Sequence, residues 1–171
     1  MPSKAKTKGN SFERIVAEKF CKAYDDNFIR VPNSGAFTGG ANLHRVDKMT
    51  AQQRRVFQGD IIPPEKLSSL KLECKSYKTI AWHQIVQGSC KQLDGWIAQA
   101  TDDKLVWLLL FKINRGGIFM CWDPSVVTLR NEHFIQYQKY RIADFDQLFS
   151  DPKNVDKIQQ ACTTYNALHW T

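Results

Sequence analysis

Leu105 to Phe111, which reads Leu-Val-Trp-Leu-Leu-Leu-Phe, is the longest uninterrupted apolar run in the chain, and it is seven residues long. A helix crossing a bilayer needs about 20 such residues, so the run is no membrane span. It shows neither the alternation of a half-buried strand nor the spacing of an amphipathic helix. A short segment that must be covered on both faces is a central β-strand. The strand is predicted over Lys104 to Lys112, and the chain is expected to place its sheet between layers of helices. With 171 residues, 43% hydrophobic, the chain has apolar surface enough to offset chain entropy in a single domain spanning 1–171. Wholesale disorder is excluded.

Around that strand the other elements can be placed. Gly9-Asn10-Ser11 is a helix start, and Phe12, Ile15, Val16 and Phe20 recur at helical spacing, predicting a helix over 11–24 behind a flexible basic tail at 1–8. Phe28 to Val31 reads as a short strand, stopped by Pro32-Asn33-Ser34-Gly35. A Gly-rich and then basic insertion, 36–58, is expected to be loop-like, with a short helix near Met49 to Phe57. Gly59 to Ile62 and Leu70 to Tyr77 are predicted as an antiparallel strand pair around Pro63-Pro64. Trp82, Val86, Cys90, Leu93, Ile97 and Ala100 mark one side of a long helix, although Gly88 and Gly95 weaken it. Gly117 to Trp122 follows as a strand after the turn at Asn114-Arg115-Gly116-Gly117, and Val155 to Leu168 reads as a terminal helix.

Charge points to the partner. Lys and Arg number 24 against 17 Asp and Glu, a net of +7. Residues 1–60 carry eleven cations against six anions, so the excess sits in the first third. Such a surface attracts polyanions through counterion release, and DNA is the expected partner. A basic chain without catalysis, merely soluble or DNA-binding, is the alternative that charge leaves open. The five cysteines form no Cys-x-x-Cys pair and are expected to be reduced thiols acting as small hydrophobes, and the four histidines show no ligand spacing. The basic N-terminus is followed by no apolar stretch of the secretory kind, so a cytoplasmic, non-secreted protein with no membrane partner is expected.

The chemistry concentrates in Leu70-Lys71-Leu72-Glu73-Cys74-Lys75. Alternation puts Leu70, Leu72 and Cys74 on one face and Lys71, Glu73 and Lys75 on the other. If the preceding strand pairs here, Asp60 lies across from them. Two carboxylates held together repel unless a cation separates them, and a hard divalent ion, magnesium above all, suits oxygen ligands. A cross-strand ion pair on a solvated face is the plainer explanation of Glu-x-Lys.

The order of four blocks favours the former. Lys8-Gly9-Asn10-Ser11-Phe12-Glu13-Arg14, Arg30-Val31-Pro32-Asn33-Ser34-Gly35, Gly59-Asp60-Ile61 and Leu72-Glu73-Cys74-Lys75-Ser76 together resemble the PD-(D/E)XK nuclease superfamily, and within it the archaeal-type Holliday junction resolvases. The resemblance covers roughly residues 8–100. It implies a restriction-endonuclease-like α/β fold with a central mixed sheet flanked by helices. It implies Asp60 and Glu73 as metal-binding carboxylates, Lys75 as the catalytic lysine, and Glu13 and the Cys74 main-chain carbonyl as contributors to the metal site. Ser34 would touch the scissile phosphate, Gly35 would allow close backbone approach, and Arg30 would be a phosphate or structural contact. The implied cofactor is Mg2+, with Mn2+ as a substitute, and the implied substrate a four-way DNA junction cut by a homodimer.

Two departures stand out. Gly59 occupies the position where the motif's name has proline, and the interval from Gly35 to Asp60 is long. Arg45, Lys48, Arg54 and Arg55 in that interval fit a substrate-gripping arm binding DNA, or a solvated flap. A nicking, repair or restriction-type nuclease acting on duplex or single strands keeps the same centre with a different substrate.

Overall fold

A computed structural model describes residues 4–32 and 59–169 of the chain. The helix expected at Met49 to Phe57 lies outside the described residues, as does the insertion that contains it. Seven strands form one mixed sheet: β1 (Ile29–Arg30), β2 (Ile61–Ile62), β3 (Leu70–Tyr77), β4 (Val106–Ile113), β5 (Ile118–Trp122), β6 (Ile135–Tyr137) and β7 (Tyr140–Asp144). Their spatial order is β1-β2-β3-β4-β5-β7-β6. Only β3 and β4 run parallel among the described strands, paired over their whole length from Leu70↔Val106 to Tyr77↔Ile113. β2 meets β3 antiparallel at one pairing, Ile61↔Leu72.

Among the described residues five α-helices cover the sheet: α1 (Lys4–Tyr24), α2 (Trp82–Val86), α3 (Lys91–Ala100), α4 (Phe145–Ser150) and α5 (Pro152–His169). The run that opens the sequence argument is the middle of the molecule. Val106, Leu108 and Leu110 of β4 join the core beneath α1, α4 and α5, and Trp107, Leu109 and Phe111 join the core beneath α2 and α3. Both faces are buried because neither offers water a polar side chain. No helix among the described residues is long and apolar enough to cross a membrane.

α1 begins at Lys4, so residues 4–8 continue the helix and the expected start at Ser11 is wrong. A Cβ at Gly9 would meet nothing within 4 Å, so no close approach requires glycine there; the roughly 1 kcal/mol such a glycine costs is offset where Phe12, Val16 and Phe20 are buried. The end is as expected. Asp25 turns left-handed at φ 47°, and Asp26 N donates to Cys21 O at 3.3 Å.

The long helix expected over 82–100 is two. Gly88 takes φ 73° and Ser89 N turns back to Gln84 O at 2.9 Å, which ends α2; Gly95 stays helical with its Cβ direction open. The last third adds elements that the sequence pattern did not reveal. β6 and β7 form a hairpin turning at Gln138, φ 52°, and Asp144 caps α4 by accepting from Gln147 N at 2.9 Å. Tyr137 ties the β6 edge to α3, its hydroxyl donating to Asp94 Oδ1 at 2.6 Å. All five cysteines are free thiols, three of them buried.

Candidate active site at the end of the β2–β3 pair

β2 pairs with β3 at one position only, and Asp60, the residue before that pairing, stands at the fork where the ladder stops. Its backbone N donates to Leu72 O at 2.9 Å and its carbonyl accepts from Val31 N at 2.9 Å, so both flanks hold it. Its side chain then takes the place of a ladder partner: Asp60 Oδ2 accepts from Cys74 N at 2.8 Å. This close approach requires the preceding glycine. A Cβ on Gly59 would lie 2.6 Å from the Leu72 carbonyl oxygen, closer than real contacts allow.

On β3 the alternation holds as read. Lys75 Nζ donates to Glu73 Oε1 at 2.7 Å, and the two side chains are 19% and 14% exposed. Lys75 Nζ also donates to Gln99 Oε1 at 2.6 Å, and Lys71 Nζ to the Gln99 main-chain oxygen at 2.9 Å. Gln99, in the last turn of α3, therefore holds two lysines of one strand face, and the sequence reading missed it. Its signal was its spacing: three residues after buried Trp96 and eight after exposed Lys91, it borders the stripe that packs over β3.

Glu13 comes from α1 on the other side of the sheet. Flanking the buried stripe of Phe12, Val16 and Phe20, it reaches β1, where Arg30 Nη1 donates to Glu13 Oε2 at 2.9 Å. Arg30 also points at Asn10 Oδ1, 3.4 Å away. Of the two roles open to Arg30, the described contact is the structural one. Ser34, Gly35, Arg45, Arg54 and Arg55 lie outside the described residues, and Lys48 with them.

The electrostatics join these groups. Burial, and next the charge of Asp60, push the Glu73 carboxyl up, with Lys75 and Lys71 opposing. Burial also raises Glu13, the Arg30 hydrogen bond opposes it, and Asp60 adds to the rise. The charge of Asp60, just ahead of β2, thus reaches both Glu13 on α1 and Glu73 on β3. The Cys74 thiol is pushed well up by burial and by Asp60, Glu13 and Glu73, which favours its protonated form.

Among the described residues no group of three or more His, Cys, Asp or Glu is arranged to hold a metal ion, and Glu13 and Glu73 are each turned to a cation. The donor chemistry nevertheless fits a hard divalent ion, since these are carboxylate oxygens whose mutual repulsion such an ion relieves. His83 and His133 are exposed and far apart in sequence. Gln84, Gln87 and Lys91, on the polar side expected for the long helix, are exposed.

Residues 4–163 match the model of the family described as Phage putative PDDEXK endonuclease. No curated protein and no solved structure gives a match. The matched span runs from α1 into α5, well past Ala100, where the sequence resemblance stopped. PDDEXK nucleases generally use divalent metal ions, and the seven-stranded mixed sheet between helices is consistent with their restriction-endonuclease-like fold.

Proposed function

The chain belongs to the phage PDDEXK endonuclease family, and from that premise we propose that it is a metal-dependent DNA endonuclease whose centre is Asp60, Glu73 and Lys75. The observation that carries this reading is the hydrogen bond from Cys74 N to Asp60 Oδ2, 2.8 Å long. It fastens the first carboxylate to the residue that lies between Glu73 and Lys75 in the strand. Asp60 and Glu73 would hold the ion, with Glu13 and the Cys74 carbonyl completing the set; Mg2+ suits these ligands best and Mn2+ can replace it.

When bound, the ion supplies Lewis-acid stabilisation of charge developing on the phosphate and a lowered pKa for water. The chain's own residues do the rest. Lys75, steadied by Glu73 and Gln99, presents an ammonium group to the attacking water or the phosphate oxygens. Arg30 keeps Glu13 in place across the fork. Ser34 and Gly35 would meet the scissile phosphate, and Arg45, Arg54 and Arg55 the flanking backbone, where each added cation strengthens salt-dependent binding.

For substrate we propose branched DNA, the four-way junction first, cut by a homodimer because a two-fold junction needs two nicks. The four sequence blocks support this choice. Labelled four-way, linear duplex and single-stranded DNA, incubated in parallel with magnesium or with chelator, test it. Magnesium-dependent cutting of the junction alone is expected. Cutting of duplex or single strands instead makes it a nicking, repair or restriction-type nuclease; retention of DNA with no scission in any arm sinks the enzyme reading.

A further inference from the structure

Beyond Lys71, Glu73 and Lys75, strand β3 bears one more residue on the same face. Tyr77 follows at the next two-residue step, so its side chain leaves the sheet on the side of α3. Its ring lies 4.7 Å from that of Trp96, centroid to centroid, with a tilt of 42°. Trp96 is buried and Tyr77 is 46% exposed. Trp96 in turn packs on Phe111 of β4 at 5.7 Å. Three rings thus run from the middle of the sheet outwards, and the outermost, braced from within, presents nearly half its surface to water.

Resting on the nuclease reading above, we propose that Tyr77 is a stacking platform for an unpaired nucleobase next to the phosphate that is cut. The spacing suits it. Two strand residues advance about 6.6 Å, so the ring stands one short step from Lys75, within reach of a nucleotide adjoining a phosphate held there. Lys75 precedes the ring and exposed Lys78 follows it, which gives the combination of aromatic face and flanking cations that single strands bind without regard to sequence. In an intact duplex each base has both π-faces covered by its neighbours, and taking one out of the stack costs a few kcal/mol. At a frayed end that cost is already met, and at an open branch point, where stacking is interrupted, it is lowered. The platform therefore selects DNA with an unstacked base beside the cleavage point.

Two variants separate stacking from structural support. Tyr77→Phe keeps the π-face; Tyr77→Leu keeps apolar cover over Trp96 and removes it. The cut is first mapped on the four-way junction and the linear duplex with the wild type and magnesium. 2-Aminopurine is then placed at each nucleotide flanking the cut, and its emission is read in chelator. The wild type and Tyr77→Phe should change the emission in the branched DNA. Tyr77→Leu, with an unfolding midpoint near that of the wild type, should lose the change and bind branched DNA about tenfold or more weakly, with duplex binding unaltered. If Tyr77→Leu matches the wild type in emission and affinity, the platform is refuted while the cleavage reading stands. A wild type that cuts no DNA removes both.

Discussion

The carboxylate of Asp60 and the backbone amide of Cys74 form a hydrogen bond of 2.8 Å, and with it a side chain does the work of a strand. Beyond Leu72 the ladder between β2 and β3 has no further pairing, and Asp60 Oδ2 accepts the proton that a neighbouring carbonyl would otherwise take. One acidic residue therefore both closes the fork and adds negative charge beside Glu73.

Asp60→Asn should separate binding from cutting. The substituted amide still offers an oxygen to Cys74 N, so the fold is kept, and removing a negative charge cannot weaken phosphate attraction. Cleavage should fall more than about 100-fold, since the ion's charge stabilisation is worth several kcal/mol. Parallel cleavage and gel-retention assays check this; cutting at the normal rate means that the centre lies elsewhere.

Gly59→Ala tests the fork itself. The added methyl would stand 2.6 Å from the Leu72 carbonyl oxygen, and backbone cannot swing aside as a flexible side chain does. The variant should lose about 1–3 kcal/mol of stability, read as a lower urea midpoint at unchanged slope. An unaltered midpoint would show that the strands part more easily than the geometry implies.

The raised Glu73 carboxyl gives a pH dependence with a definite sign. Burial and Asp60 make the folded protein hold this proton more tightly than the unfolded chain does. The contribution to stability is therefore full below the ordinary value of 4.5 and is lost as pH rises through the raised value. In chelator, the thermal midpoint should decline on the alkaline side of 4.5, and less steeply in Glu73→Gln. Magnesium should raise the wild-type midpoint at neutral pH more than that of the variant. Parallel profiles for the two proteins would contradict this.

Gln99 offers a subtler test, because it touches Lys75 and no other group of the proposed centre. Gln99→Leu should lower the cleavage rate about 10- to 100-fold, the usual effect of losing a partner that orients a functional group, with DNA affinity unchanged. Gln99→Glu, which keeps an acceptor for Lys75, should recover much of the rate. A loss in affinity rather than in rate would assign Gln99 to the DNA surface.

Strand β3 was legible to the residue, Leu70–Tyr77, because alternation with one buried face leaves little freedom of register. β4 was legible because nothing but burial suits seven apolar residues. The antiparallel β2–β3 pair and the Glu73–Lys75 face followed from the same rules. What stayed hidden depends on contacts between distant parts of the chain. Gln99 acquires its meaning only when α3 lies over β3. Gly88 and Gly95 look alike in sequence, yet only Gly88 takes the left-handed turn that divides α2 from α3. β6 is three residues long and is held by Tyr137 against Asp94, a partner 43 residues away. The start of α1 was misread because Gly9 and Ser11 suit a helix entrance locally, while burial of Phe12 and Val16 carries the helix through them.

Strand β3 is stitched to β4 along eight positions and to β2 by one. Its two borders are consequently unequal in strength, like a door hinged down one side and closed by a single latch. Glu73 and Lys75 travel with the hinge; Asp60 is the latch. Anything that disturbed the β2 border would therefore move the aspartate and leave the lysine and its glutamate in register.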